Sequence, residues 1–153
     1  MSAISDLERR IQVLEDKEAI KKLKAQYWHS VDNKQWDNLA ECFTEDVVFE
    51  SPHLVKMEGR DFIVKVLKRA MKNVKTAHQG HNPVIEITVD NTASGRWALN
   101  DRVELPDNKF FQGYGYYEEE YVKENGSWKI KTSKLTYIFQ DNYMNPANAN
   151  SLV

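Results

Sequence analysis

The chain has a single cysteine, Cys42, so no intramolecular disulfide can form, and cysteine usage this sparse suits a reducing compartment. No apolar run approaches the ~18 residues of a membrane span. The N-terminal stretch is too polar for a secretory leader, and a cytoplasmic protein is expected. Charge of neither sign dominates: 21 Lys and Arg stand against 23 Asp and Glu, for a formal net charge of −2. That balance leaves no electrostatic footprint for nucleic acid or for an anionic membrane, and neither is expected as a partner. Glycine-rich phosphate loops are missing as well, because Gly113-Tyr114-Gly115 reads as a strand interior rather than a strand-to-helix turn. No metal-ligand set stands out: His78 and His81 diverge on a strand, and no His-x-x-x-His lies on a helix. Neither a metal nor another cofactor is expected.

What remains is the composition of one globular domain. With 153 residues, 41% hydrophobic and 29% charged, the chain is long enough to bury roughly 70% of its unfolded surface. Ser5-Asp6-Leu7-Glu8 has the form of a capping box, and Leu7, Ile11, Leu14, Ile20, Leu23, Tyr27 and Val31 follow at helical spacing. Asp16 can cap a second segment, so one bent helix and two consecutive ones both fit. The clusters Lys21-Lys22-Lys24 and Lys65-Lys68-Arg69 read as solvated helix faces. Asp32-Asn33-Lys34-Gln35 ends the first helical region, and a short helix from Trp36 to Phe43 follows. Asp46–Glu50 is a first strand, broken by Pro52, and Arg60–Lys72 is amphipathic and helical.

From Val74 onward the chain reads as strands, near Thr76–His81, Val84–Val89, Thr92–Leu105, Phe110–Lys123 and Trp128–Gln140. The joints are Asp90-Asn91, Pro106-Asp107-Asn108 and Glu124-Asn125-Gly126-Ser127. Helices followed by long strands mean α+β, with an antiparallel sheet curling over three N-terminal helices. One domain is expected over residues 1–141 and an Asn-rich tail over 142–153. Side-chain alternation sends Thr76, His78 and Gly80 one way and Ala77, Gln79 and His81 the other. Phe111, Gly113, Gly115, Tyr117 and Glu119 share a face, where the two glycines allow a bend or leave room for a ligand. Tyr117 and Trp97, with Phe49 from the first strand, are the expected pocket wall.

Leu7-Glu8-Arg9-Arg10…Leu14-Glu15-Asp16…Tyr27…Asp32…Trp36…Phe43-Thr44-Glu45-Asp46 resembles the opening of a SnoaL-like domain of the nuclear transport factor 2-like superfamily. Thr76-Ala77-His78, Asn82-Pro83 and the hairpin from Gly113 to Lys129 are similar to the remainder. The resemblance implies a cone-shaped fold enclosing a deep apolar pocket. It also implies membership beside scytalone and bile-acid dehydratases, a hexachlorocyclohexane dehydrochlorinase, polyketide cyclases and steroid isomerases. In the dehydratase and dehydrochlorinase branch an Asp after the first long helix supports a His on the sheet, and Asp32 and His78 stand in those places. Tyr27 matches a Tyr five residues before that Asp. Several relatives carry an Arg on the last strand; here the region reads Thr132-Ser133-Lys134, and Lys134 can replace it only through a register slip.

A histidine steadied by a carboxylate can accept and return a proton near neutral pH, and a tyrosine hydroxyl can polarise a carbonyl. His78, Asp32 and Tyr27 are therefore the expected catalytic set of a dehydratase, isomerase or cyclase acting on a hydrophobic, cyclic carbonyl compound. Plainer readings stand beside it: Tyr27 on an apolar helix face as core, Asp32 as a helix stop. Five residues of ideal helix also set Tyr27 and Asp32 well apart around the axis, and they converge only if the helix ends between them. His29, His53 and His81 are expected to be structural or exposed. The alternatives are a non-catalytic binding module and a small structural subunit of a ring-hydroxylating dioxygenase. An open curved sheet leaves an apolar outer face, so a homodimer or homotrimer is expected.

Overall fold

A computed structural model describes residues 3–88, 91–107 and 109–144. The first helix, α1 (Ala3–Asp32), runs for 30 residues without a break, about 45 Å at the usual rise. Ser5 therefore lies inside the helix and not at its start, and Asp16 does not cap a second segment. The N-terminal turns stand clear of the core, leaving Leu7, Ile11 and Leu14 exposed; the buried face begins only at Asp16 and Ile20. The helix ends where Lys34 takes a left-handed φ of 59°. The Gln35 N–H then reaches back to the Ser30 carbonyl at 2.8 Å and the Lys34 N–H to Val31 at 3.3 Å, a paired closure that satisfies the last carbonyls. Asp32 is thus the last helical residue.

Two short helices and six strands complete the order: α2 (Trp36–Ala40), β1 (Phe43–Ser51), β2 (Leu54–Glu58), α3 (Arg60–Ala70), β3 (Lys75–Ile87), β4 (Thr92–Glu104), β5 (Lys109–Glu124) and β6 (Ser127–Met144). The strands form one curved, unclosed sheet in the order β2-β1-β6-β5-β4-β3, with the helices packed in its hollow. The expected α+β cone is present, with one correction. The sheet is mixed, because β1 lies parallel to β6, pairing Val48 with Thr132 and Phe49 with Ser133. Alternation reveals a strand's two faces but not its neighbour, and β1 docks beside the last strand in the chain.

Two expected strands merge into β3, interrupted by an irregularity between His81 and Val84 where Asn82 has a φ of 44°. The inward parity changes there, from Thr76, His78 and Gly80 to Ile85 and Ile87, as an extra residue in a strand requires. Val89, Asp90 and Asn108, parts of an expected strand end and two joints, lie outside the described residues. β6 runs on to Met144, past the expected domain boundary at 141, and residues 145–153 of the expected tail also lie outside.

The helix and sheet are joined by charge in the middle of the core. Lys24, expected on a solvated face, is fully buried, and its ammonium donates to Glu119 Oε1 at 2.6 Å on β5. Ser133 adds a hydrogen bond to the same oxygen at 2.7 Å, and the Tyr121 hydroxyl donates to Oε2. The ring centroids of Tyr117, Tyr27 and Trp28 stand 3.6, 4.1 and 4.8 Å from the ammonium, a geometry that offsets lost hydration. Burial pulls the Lys24 ammonium below its ordinary pKa, and Glu119 works against that pull. Nearby, Gly80 admits the Trp28 ring: a Cβ there would sit 1.7 Å from its Cη2. The close approach brings the end of α1 onto β3.

Removing one member of a fully buried pair leaves the other charge uncompensated. Lys24→Met is expected to destabilise the protein by about 3–5 kcal/mol, and adding Glu119→Gln to recover most of that loss. Urea denaturation of both variants reads the difference; a single variant as stable as the parent would remove the pair from the list of structural anchors.

Candidate active site

Asp32 ends α1 directly beneath β3, and its carboxylate is saturated from that strand. Oδ1 accepts from the Thr76 hydroxyl at 2.8 Å and from His78 Nδ1 at 2.7 Å, while Oδ2 accepts the His78 backbone N–H at 3.0 Å. An ionised carboxylate only accepts, so the Nδ1–H belongs to His78 and the lone pair of the neutral ring lies on Nε2. Lys34 donates to the Thr76 hydroxyl at 3.3 Å, completing a relay of donors that points toward Asp32. Burial works against ionisation of Asp32. The side-chain and backbone hydrogen bonds of His78 outweigh it and hold the carboxyl below its ordinary pKa.

His78 faces a cavity of about 240 Å³ walled by α1, β1, α3 and the inner face of the sheet. Tyr27, Phe49 and Tyr117 line it, with Val31, Leu67, Met71, Val103 and Leu135 supplying apolar surface. Burial is the first cause that raises the phenols of Tyr27 and Tyr117 above the ordinary tyrosine pKa. Both therefore remain hydrogen-bond donors throughout the working range.

Other expectations change. Trp97 does not reach the cavity: its ring packs edge-on against Trp28 at 5.3 Å and its Nε1–H donates to Tyr121 at 2.9 Å, so it is a core residue. Asp32 does not line the cavity either. The helix does not end between Tyr27 and Asp32, so the two stay on different sides of it, and Asp32 acts on the ring from behind. On β6 the register does not slip at the basic position. Ser133 points inward and is spent on Glu119, while Lys134 is exposed opposite Glu118. Among the described residues no Lys or Arg lines the cavity.

Sequence reasoning missed three polar groups of the lining: His53 at the turn after β1, Asp101 on β4 and Tyr137 on β6. The His53 ring lies 5.5 Å from those of both Phe111 and Tyr137. Asp101 shares the inward parity of Trp97, Leu99 and Val103, a signal that alternation alone supplied. The space left by Gly113 is filled by protein, since a Cβ there would meet Tyr137 Cε1 at 2.3 Å and Asp101 Oδ1 at 2.4 Å. A larger trough, about 760 Å³, crosses the outer sheet face among Glu50, Lys56, Arg96, Glu118, Glu120 and Lys134, and is a surface of solvated charges. Among the described residues no three His, Cys, Asp or Glu converge as a metal site, and no helix is long and apolar enough to cross a membrane.

A family model described as a SnoaL-like domain matches residues 12–134. Among solved structures, a scytalone dehydratase candidate from Novosphingobium aromaticivorans is 26% identical, with a TM-score of 0.75 over 87% of this chain and 93% of that one. A type 2 hexachlorocyclohexane dehydrochlorinase, LinA, is 20% identical, with a TM-score of 0.80 over 90% and 93%. An aromatic ring hydroxylase candidate, also from N. aromaticivorans, is 24% identical, with a TM-score of 0.79 over 85% and 94%.

The lowered Asp32 pKa ties stability to pH. Its contribution is complete above the ordinary carboxylate value of about 4 and is lost as pH falls through the depressed folded value. The melting-temperature gap between the parent and Asp32→Asn is therefore expected to persist from neutral pH down to about 4, then to close in acid. Calorimetry across that range checks it; a gap that persists in acid would mean that Asp32 is not ionised in the fold.

Proposed function

This chain belongs to the SnoaL-like domain family, and from that premise we propose that it is a cofactor-independent lyase or isomerase working by His-Asp acid–base chemistry on a hydrophobic carbonyl compound. The observation that carries the reading is the 2.7 Å contact between Asp32 and His78 Nδ1, with His78 facing an apolar cavity. In the neutral ring that contact leaves Nε2 as the base.

The proposed sequence for a β-hydroxy ketone is an elimination. His78 Nε2 takes the proton from the carbon next to the carbonyl, and the electron pair moves to the carbonyl oxygen. Tyr27 or Tyr117 donates a hydrogen bond to that developing enolate. The enolate collapses, the bond to the β-hydroxyl breaks, and the imidazolium returns its proton to the departing oxygen. The products are an enone and water, with His78 neutral again. If the leaving group is absent and the substrate carries a β,γ double bond, the dienolate takes the proton back at the γ-carbon, an isomerisation to the conjugated enone with the same residues.

Two features favour dehydration over loss of a stable anion. A departing hydroxyl needs the proton that His78 has just acquired. A halide needs a lasting cation beside it, and among the described residues no Lys or Arg lines the cavity. Asp32 stabilises the imidazolium in the step between, and the apolar walls strengthen that attraction.

A panel of cyclic β-hydroxy ketones, followed by enone absorbance, is the direct assay. His78→Ala and Asp32→Asn are each expected to lower kcat by about 10²–10⁴-fold with the melting transition retained, and Tyr27→Phe to have a smaller effect. Turnover retained in His78→Ala would overturn the mechanism. A panel that binds without product would point to a binding module.

A further inference from the structure

The N-terminal half of α1 carries an apolar pattern that the domain leaves in water. Ile4, Leu7, Ile11 and Leu14 are between 46% and 72% exposed. They follow one another three, four and three residues apart, the a and d spacing of a heptad repeat. Single exposed apolar side chains are ordinary on a protein surface, but a contiguous stripe of them marks a contact.

The stripe does not extend the buried face of the helix. Ile11 and the fully buried Ile20 are nine residues apart, about two and a half turns, so the stripe lies on the side of α1 turned away from its own sheet. An isolated helix this short would be marginal in water. Here it continues a helix that is anchored in the core from Asp16 onward, so the seam is already folded when a partner arrives.

Charge selects that partner. Glu8 and Glu15 flank the seam at e positions on one side, and Arg10 and Lys17 at g positions on the other. Between parallel copies, a two-fold axis sets the acidic flank of each helix against the basic flank of the other. The exposed Arg10 then faces Glu15 of the partner subunit. An antiparallel pair would set acid against acid and base against base. Isoleucine at a with leucine at d is also the combination that favours two strands. Beyond Leu14 the next a and d positions are Glu18 and Lys21, which pair with each other at 2.6 Å and end the seam.

We propose that the N-terminal half of α1 is a self-association surface, on which Ile4, Leu7, Ile11 and Leu14 form a short parallel two-stranded coiled coil with a second copy of this chain. Four side chains per copy cover less than the standard interface of about 1,600 Å², so the dimer is reversible and depends on concentration.

Sedimentation equilibrium of the full chain tests this. The parent is expected to move from the 17.9 kDa monomer toward twice that mass as concentration rises. The double variant Leu7→Glu, Ile11→Glu is expected to stay monomeric and to keep its circular dichroism spectrum, because both side chains are already in water. Arg10→Glu is expected to weaken the dimer about tenfold, since two symmetric pairs turn repulsive, and adding Glu15→Arg to restore it. A parent that stays monomeric at every concentration, or that forms a trimer, would overturn the proposal. So would an assembly that survives Leu7→Glu, Ile11→Glu, as one built on the exposed Ile138 and Phe139 of β6 would. A charge swap that fails to restore the dimer would overturn the parallel orientation.

Discussion

The buried ion pair between Lys24 and Glu119 is the interaction on which the site's geometry depends, because it fixes the long helix against the sheet. It is the middle one of three anchors. Asp16 accepts from Lys123 at 2.8 Å and from Trp128 Nε1 at 2.9 Å, and Asp32 accepts from Thr76 and His78. The anchors recur every eight residues along α1, about 12 Å apart at the usual rise. Each step turns the attachment by about 80° around the axis, which lets one unbroken helix follow the twist of a curved sheet. The last anchor is also the support of the proposed base. The carboxylate that steadies His78 therefore belongs to the same set of contacts that holds the fold.

The pair also acts on the site directly. The Lys24 ammonium lies under the rings of Tyr27 and Tyr117, the two phenols that face the cavity. After burial, Glu119 is the next cause that raises the Tyr27 phenol. The ring faces are held by a cation from within the core while the hydroxyls stay protonated. A phenol that remains protonated donates to an enolate without giving up its hydrogen, which in the proposed mechanism leaves proton transfer to His78.

Much of this was legible in the residues, and the failures have physical causes. Alternation placed His78 inward and His81 outward because the strand is regular up to the irregularity after His81. The family pattern supplied Asp32. Lys24 was misread as part of a lysine cluster, although it falls four residues after Ile20 and three before Tyr27, on the apolar face. Its partner, Glu119, shares the inward parity of Tyr117. The two signals were separable in sequence and meaningful only together, 95 residues apart. Trp97 and Asp101 show the opposite limit. They share one face of β4, yet the sheet's curvature puts the first into the core and the second into the cavity, and no local pattern encodes that distinction.

The distribution of charge around the cavity also constrains which chemistry fits. Apolar side chains cover most of the wall, and among the described residues no Lys or Arg lines it. In such surroundings a separated charge is strongly felt. An imidazolium formed at His78 would have the Asp32 carboxylate at its Nδ1 and Asp101 as its cross-strand neighbour. An enolate would face phenols that stay protonated. The wall therefore favours a positive base over a negative product, and it suits a reaction in which the captured proton is quickly delivered again. Elimination of a hydroxyl meets that condition, because the leaving group takes back the proton and both charges disappear in one step.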